Sequence, residues 1–190
     1  MIAAFAAVLL VTGLTIWFVR PADDEAVNAE SSVTATTSAA PTAPAKKQGS
    51  AEQERTLAAS LPAGYTPTSC TAAPAPVGIA ARLTCTRNGD AGGPQSATYS
   101  LAEDADALTT AFNALVRSSV VVDCPGRIQS PGPWRRTAQA RPAGTLVCTG
   151  DDRAPAMAWT TSDKLLLSVV ETGVRGPTAE ALYAWWSKHS

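Results

Sequence analysis

Residues 82–101 read RLTCTRNGDAGGPQSATYSL, and their pattern sets the fold class. Arg82 to Thr86 alternates toward Leu83 and Cys85, as a strand buried on one side does. Ala97, Tyr99 and Leu101 alternate in the same way. Between the two runs, Asn88-Gly89-Asp90 and Gly92-Gly93-Pro94 are turn chemistry. Glycine reaches positive φ without steric cost, and Asn or Asp side chains bond their own backbone. The stretch therefore predicts two strands joined by a turn.

Downstream, Asp104 has the side chain of a helix N-cap, and Leu108, Phe112, Leu115 and Val116 follow at helical spacing. Val120 to Val122 extend beyond that helix, and Cys124-Pro125-Gly126 closes the segment. The second half follows the same logic. Gly144 to Thr149 is strand-like, Asp151-Asp152 makes a turn, and Met157 and Trp159 alternate in a further strand. Leu165 to Val170 reads as a central strand. Gly176-Pro177 then opens a last helix, with Pro in its first turn and Leu182, Trp185 and Trp186 as its apolar stripe. Leu83-Thr84-Cys85-Thr86 is echoed by Leu146-Val147-Cys148-Thr149, which suggests a duplicated strands-then-helix unit. The expected fold is α+β, an antiparallel sheet with helices packed on one face.

Upstream, Ile2 to Val19 carries no charged side chain and is interrupted only by Thr12, Gly13 and Thr15. A helix of that length rises about 27 Å, close to the ~30 Å of a bilayer's hydrocarbon core. Trp17 and Phe18 suit the interface, and Arg20 and Pro21 follow. A cleaved signal peptide is the alternative, with Val27-Asn28-Ala29 as the cleavage site. The apolar run is long for that role and no basic residue precedes it. Arg20 sits on the side expected to be outside, against the positive-inside rule. From Ala26 to about Ser50 the composition narrows to Ala, Ser, Thr and Pro, too poor in large apolar groups to offset ordering entropy. The expected organisation is a transmembrane anchor over 1–20 in contact with membrane lipid, a disordered linker over 21–51, and a folded extracytoplasmic domain over 52–190.

The four cysteines, Cys70, Cys85, Cys124 and Cys148, form no CxxC pair. With one histidine in the chain, zinc-finger spacing is absent, and an even count behind an export signal favours disulfides. Three connectivities are open. Cys70–Cys85 with Cys124–Cys148 is preferred, because each bridge would then staple one half of the suspected duplication.

A net charge of −1 gives no electrostatic footprint for nucleic acid. His189 lies one residue from the C-terminus, where chains usually fray, so a Ser-His-Asp site is not expected. No nucleophile elbow, phosphate loop or dinucleotide fingerprint is present. Asp104 and Asp106 read as helix-start residues, and Asp151 and Asp152 as a turn, rather than as paired catalytic carboxylates. No cofactor is implied. Trp134, Arg135, Trp159, Tyr183, Trp185 and Trp186 concentrate in the second half. Core packing is the default for such aromatics, and the alternative is a surface for a protein, small molecule or glycan. Arg135 and Arg136 beside Trp134 could make a cation–π contact or an anion-binding spot.

One series of residues carries a family likeness. It comprises Leu61-Pro62-Ala63-Gly64-Tyr65, Cys70, Gly92-Gly93-Pro94, Ala107-Leu108 with Phe112, Cys124-Pro125-Gly126, Ser130-Pro131-Gly132-Pro133-Trp134, and Leu182-Tyr183 with Trp185-Trp186. It resembles the extracytoplasmic domain of actinobacterial, especially mycobacterial, single-pass membrane proteins. Similar domains follow the transmembrane helix of some serine/threonine protein kinases as sensor modules. The resemblance runs from about Leu61 to Ser187 and implies a non-enzymatic binding or sensing domain at the cell membrane. No kinase domain precedes the apolar run, so kinase activity does not carry over. An envelope assembly or scaffold partner is the runner-up, and a carboxylate-dependent hydrolase the third class.

Overall fold

The computed structural model describes residues 48–137 and 139–190. The span expected over 1–20 and nearly all of the linker expected over 21–51 lie outside them. Among the described residues, no helix is long and apolar enough to cross a membrane.

Helix α1 (Gln48–Ala59) comes first, followed by strands β1 (Cys70–Ala72), β2 (Ile79–Cys85) and β3 (Ser96–Ala102). Helix α2 (Ala105–Ser118) leads to β4 (Val121–Val122), β5 (Gly132–Trp134), β6 (Gly144–Thr149) and β7 (Ala156–Thr161). A single 3-10 turn at Ser162–Lys164 precedes β8 (Leu166–Glu171) and α3 (Ala179–His189). The strands form one eight-stranded sheet in the order β1-β2-β3-β8-β7-β6-β4, with β5 also on β6, and every pairing is antiparallel. The fold is α+β, as the alternation predicts.

Local chemistry fixes the boundaries. Asp104 Oδ1 accepts from Ala107 N at 2.8 Å, capping α2. Thr178, not Pro177, caps α3, its hydroxyl accepting from Ala181 N at 3.3 Å. Pro177 therefore stands before the helix rather than in its first turn, a correction to the sequence reading. Leu165 adopts the left-handed conformation at φ 50° where the 3-10 turn hands over to β8, so that strand runs one residue later than expected, from Leu166 to Glu171. Helix α1 starts inside the segment assigned to the linker. Leu57, fully buried, anchors it to the core.

The period-two alternation of the strands builds two cores. Toward one face point Leu83, Cys85, Tyr99, Leu146, Cys148, Met157, Trp159, Leu166 and Val170, and there they meet Leu57 of α1 and Leu182, Trp185 and Trp186 of α3. Toward the other point Val147, Ala158 and Leu167, covered by Leu108 and Phe112 of α2. A register shift between Ile79 and Ala81 turns Ile79 onto the α2 side while Ala81 stays with the first core. The expectation of helices on one face is thus corrected: the sheet is sandwiched. The physical reason is that central strands β6, β7 and β8 are apolar on both faces and require cover on both.

The suspected repeat survives only in part. Both Leu-x-Cys strands face the same core, but the helix ending each half lies on the opposite side of the sheet. The second half also inserts β8 between β3 and β7. The disulfides nevertheless join Cys70 to Cys85 and Cys124 to Cys148, one bridge per half. Cys70 and Cys85 are register partners on β1 and β2. Cys124 follows β4 and ties it to β6. Two disulfides in a domain of this size point to an oxidising compartment.

Candidate binding clefts

The aromatic residues of the second half assemble into the core. Trp134, Trp159, Trp185 and Trp186 are all buried. Trp186 of α3 meets Trp134 edge-on at 5.6 Å and Trp159 at 6.3 Å between ring centroids, with Tyr183 tilted against it at 5.2 Å. The Trp134 indole N–H donates to the Thr160 carbonyl at 2.8 Å. These four tryptophans are not a surface, which corrects that alternative. Their rings fill the space between the sheet and α3. Arg135 is exposed and Tyr183 half-buried. Arg136, not Arg135, makes the cation–π contact, its guanidinium carbon 5.3 Å from the Trp134 ring centroid.

On the same core face, the Tyr65 and Tyr99 hydroxyls lie 3.0 Å apart with their rings edge-on. Burial pushes both phenols above their ordinary range; for Tyr99 the neighbouring Tyr65 adds to the effect. This pair explains why the Leu61–Tyr65 segment stays attached. Asn88, itself buried, reinforces it by donating from Nδ2 to the Ala63 carbonyl at 2.9 Å.

A cleft of about 780 Å³ opens at one end of the sheet. Register brings its walls together: Ser96 at the start of β3 and Ala156 at the start of β7 both pair with Glu171 at the end of central β8. Ser96 Oγ donates to Glu171 Oε2 at 3.1 Å. Gln95, Ser119, Thr149, Asp151 and Val120 also line it, and of the lining residues two are carboxylates and none is a cation. Asp151 is held by its own turn, its Oδ1 accepting from Arg153 N at 2.9 Å and Ala154 N at 3.0 Å. That agrees with the turn reading of Asp151, as the Asp104 cap does for that residue. Ser96 and Glu171 stand 75 residues apart in sequence, and only the β3–β8 pairing joins them. No local signal could have nominated them.

A second cleft, about 530 Å³, lies at the opposite end of the β6–β7 hairpin. Its lining includes Arg136, Gln139, Arg141, Ser162 and Asp163. Arg136 lies 3.6 Å from Asp163. The hairpin thus separates an acidic cleft from an arginine-bearing one. No family model, curated protein or solved structure matches this chain.

Proposed function

We propose that this chain is a membrane-anchored extracytoplasmic binding or sensor-like domain without catalytic activity, of the kind its sequence resembles. The cleft over Glu171 supports the reading. Its hydroxyls, amide and two carboxylates offer hydrogen-bond acceptors and donors in a space suited to a small ligand. A hydroxyl-rich or amine-bearing molecule, such as a glycan, matches that chemistry. Asp151 is engaged with backbone N–H groups, and Glu171 accepts from the Ser96 hydroxyl, which makes Glu171 the carboxylate whose role the test must decide. Tethering by the apolar N-terminal run would keep such a domain on the outer side of the cell membrane.

An envelope assembly or scaffold partner is the second reading. It is favoured by the exposed apolar side chains Val120, which lines the acidic cleft, and Val121, Val122 and Ile128. The deciding experiment maps backbone amide shifts on adding a panel of oligosaccharides and diamines to the protein. Saturable shifts centred on Ser96, Thr149 and Glu171, weakened in Glu171→Gln, support the ligand reading. Turnover of a panel member that Glu171→Gln abolishes would overturn it in favour of an enzyme.

A further inference from the structure

We propose that the cleft at the arginine end of the β6–β7 hairpin is an anion site that takes a phosphate-bearing group. It is separate from the Glu171 cleft and does not depend on how that cleft is used. Two guanidinium groups, Arg136 and Arg141, line it against a single carboxylate, Asp163. Arg136 is held in place from below. It rests over the Trp134 ring, and that ring is buried and tied through its indole N–H to the Thr160 carbonyl. Its contact with Asp163, at 3.6 Å, is longer than a hydrogen bond, and Asp163 is 63% exposed. A doubly charged oxyanion can therefore draw Arg136 away from that carboxylate at small cost. Arg141 is exposed and has no ion pair among the described residues. The Gln139 amide and Ser162 hydroxyl supply further donors at the rim. Guanidinium groups meet phosphate oxygens through paired N–H donors, which favours phosphate over a spherical anion. A volume of about 530 Å³ leaves room for the group that carries the phosphate, whether a soluble ester or a lipid headgroup.

The test uses the full chain in a maltoside detergent, with inorganic phosphate as the first probe and the arginine Nε–Hε resonances as the readout. Saturable shifts of Arg136 and Arg141 are expected, absent with chloride at equal ionic strength. Arg141→Ala should weaken binding about tenfold, and Asp163→Asn, which removes the competing carboxylate, should strengthen it about threefold. Opposite signs in these two exposed-site variants distinguish a binding site from a merely structural role. In a second arm the micelles carry phosphatidylglycerol in place of added phosphate. Shifts in that arm alone assign the group to a lipid headgroup, and shifts with inorganic phosphate assign it to a soluble source. Equal effects of chloride and phosphate, or no saturable shift in either arm, would overturn the proposal.

Discussion

His189 Nε2 lies 2.9 Å from Asp90 Oδ2, joining the end of α3 to the turn between β2 and β3 across 99 residues. Nδ1 of the same ring is 2.7 Å from the Trp185 carbonyl, and the ring stacks on Trp185 at 4.8 Å. Both nitrogens face acceptors, so both contacts form when both nitrogens carry protons. The chain end is pinned where fraying is the ordinary expectation. Gly92 in the same turn approaches α3 so closely that a Cβ there would meet the Ala181 carbonyl oxygen at 2.5 Å. Asp90→Ala is expected to lower stability by about 1 kcal/mol and to raise amide exchange along α3. Exchange rates in α3 equal to those of the parent would refute the link.

The disulfides should each contribute roughly 3 kcal/mol through loop closure, for separations of 15 and 24 residues. Paired Cys→Ala changes at 70 and 85, or at 124 and 148, are expected to lower the urea midpoint and to steepen the slope, because the unfolded chain is then free to expand. Peptide mapping without reductant should recover only those two cross-linked pairs. A peptide linking Cys85 to Cys148 would contradict the structure.

Trp186→Ala removes the ring shared by Trp134, Trp159 and Tyr183, and should cost about 3–5 kcal/mol. Arg135→Ala, on an exposed side chain, should stay within about 0.5 kcal/mol of the parent. Chemical denaturation of the two variants separates a core role for the aromatics from a surface role.

Ser168 is buried, and its hydroxyl has no hydrogen-bond partner among the described residues. Replacing it by Ala deletes an unsatisfied polar atom while losing little volume. Ser168→Ala should therefore raise stability by about 1 kcal/mol, measured as a higher melting temperature. A loss of stability would mean that the hydroxyl has an unrecognised partner.

Tyr65 and Tyr99 set the alkaline limit. Their folded-state pKa values lie above the ordinary phenol value because burial disfavours the phenolate. The stability they contribute is fully present below about pH 10, where both folded and unfolded forms are protonated. It is lost as pH rises from there toward the raised folded-state values, because the unfolded chain releases its protons first. Tyrosinate absorbance near neutral salt should thus rise in step with unfolding above that pH, and Tyr99→Phe should flatten the pH dependence. Ionisation of both phenols at about pH 10 with the fold intact would refute the raised values.

The sequence made the strands legible where alternation was strong, as in Leu83-Thr84-Cys85 and Met157-Ala158-Trp159. Capping by Asp104 and the turn at Asp151 were equally local and were read from side-chain chemistry alone. Helix α1 escaped because it opens in an Ala- and Gln-rich stretch with weak amphipathicity, and only Leu57 is deeply buried. The sidedness of α2 was also hidden. Whether Leu108 and Phe112 pack on the same face as Trp185 depends on how the chain crosses the sheet edge, not on their spacing. The Glu171 cleft was illegible for a related reason: register between β3 and β8 assembles it. The tryptophans were legible as core by default, since a large ring is most often buried, and the structure places four of them there.

Both outer borders of the sheet are fastened covalently, one bridge holding β1 to β2 and the other holding β4 to β6. The short border strands, three residues in β1 and two in β4, have few backbone bonds of their own to resist peeling. With the sulfurs joined, neither can lift away and leave its neighbour's amides open to a strand from another molecule. Reduction should therefore unzip this protein from its margins inward, turning a self-contained sheet into a template for polymer growth.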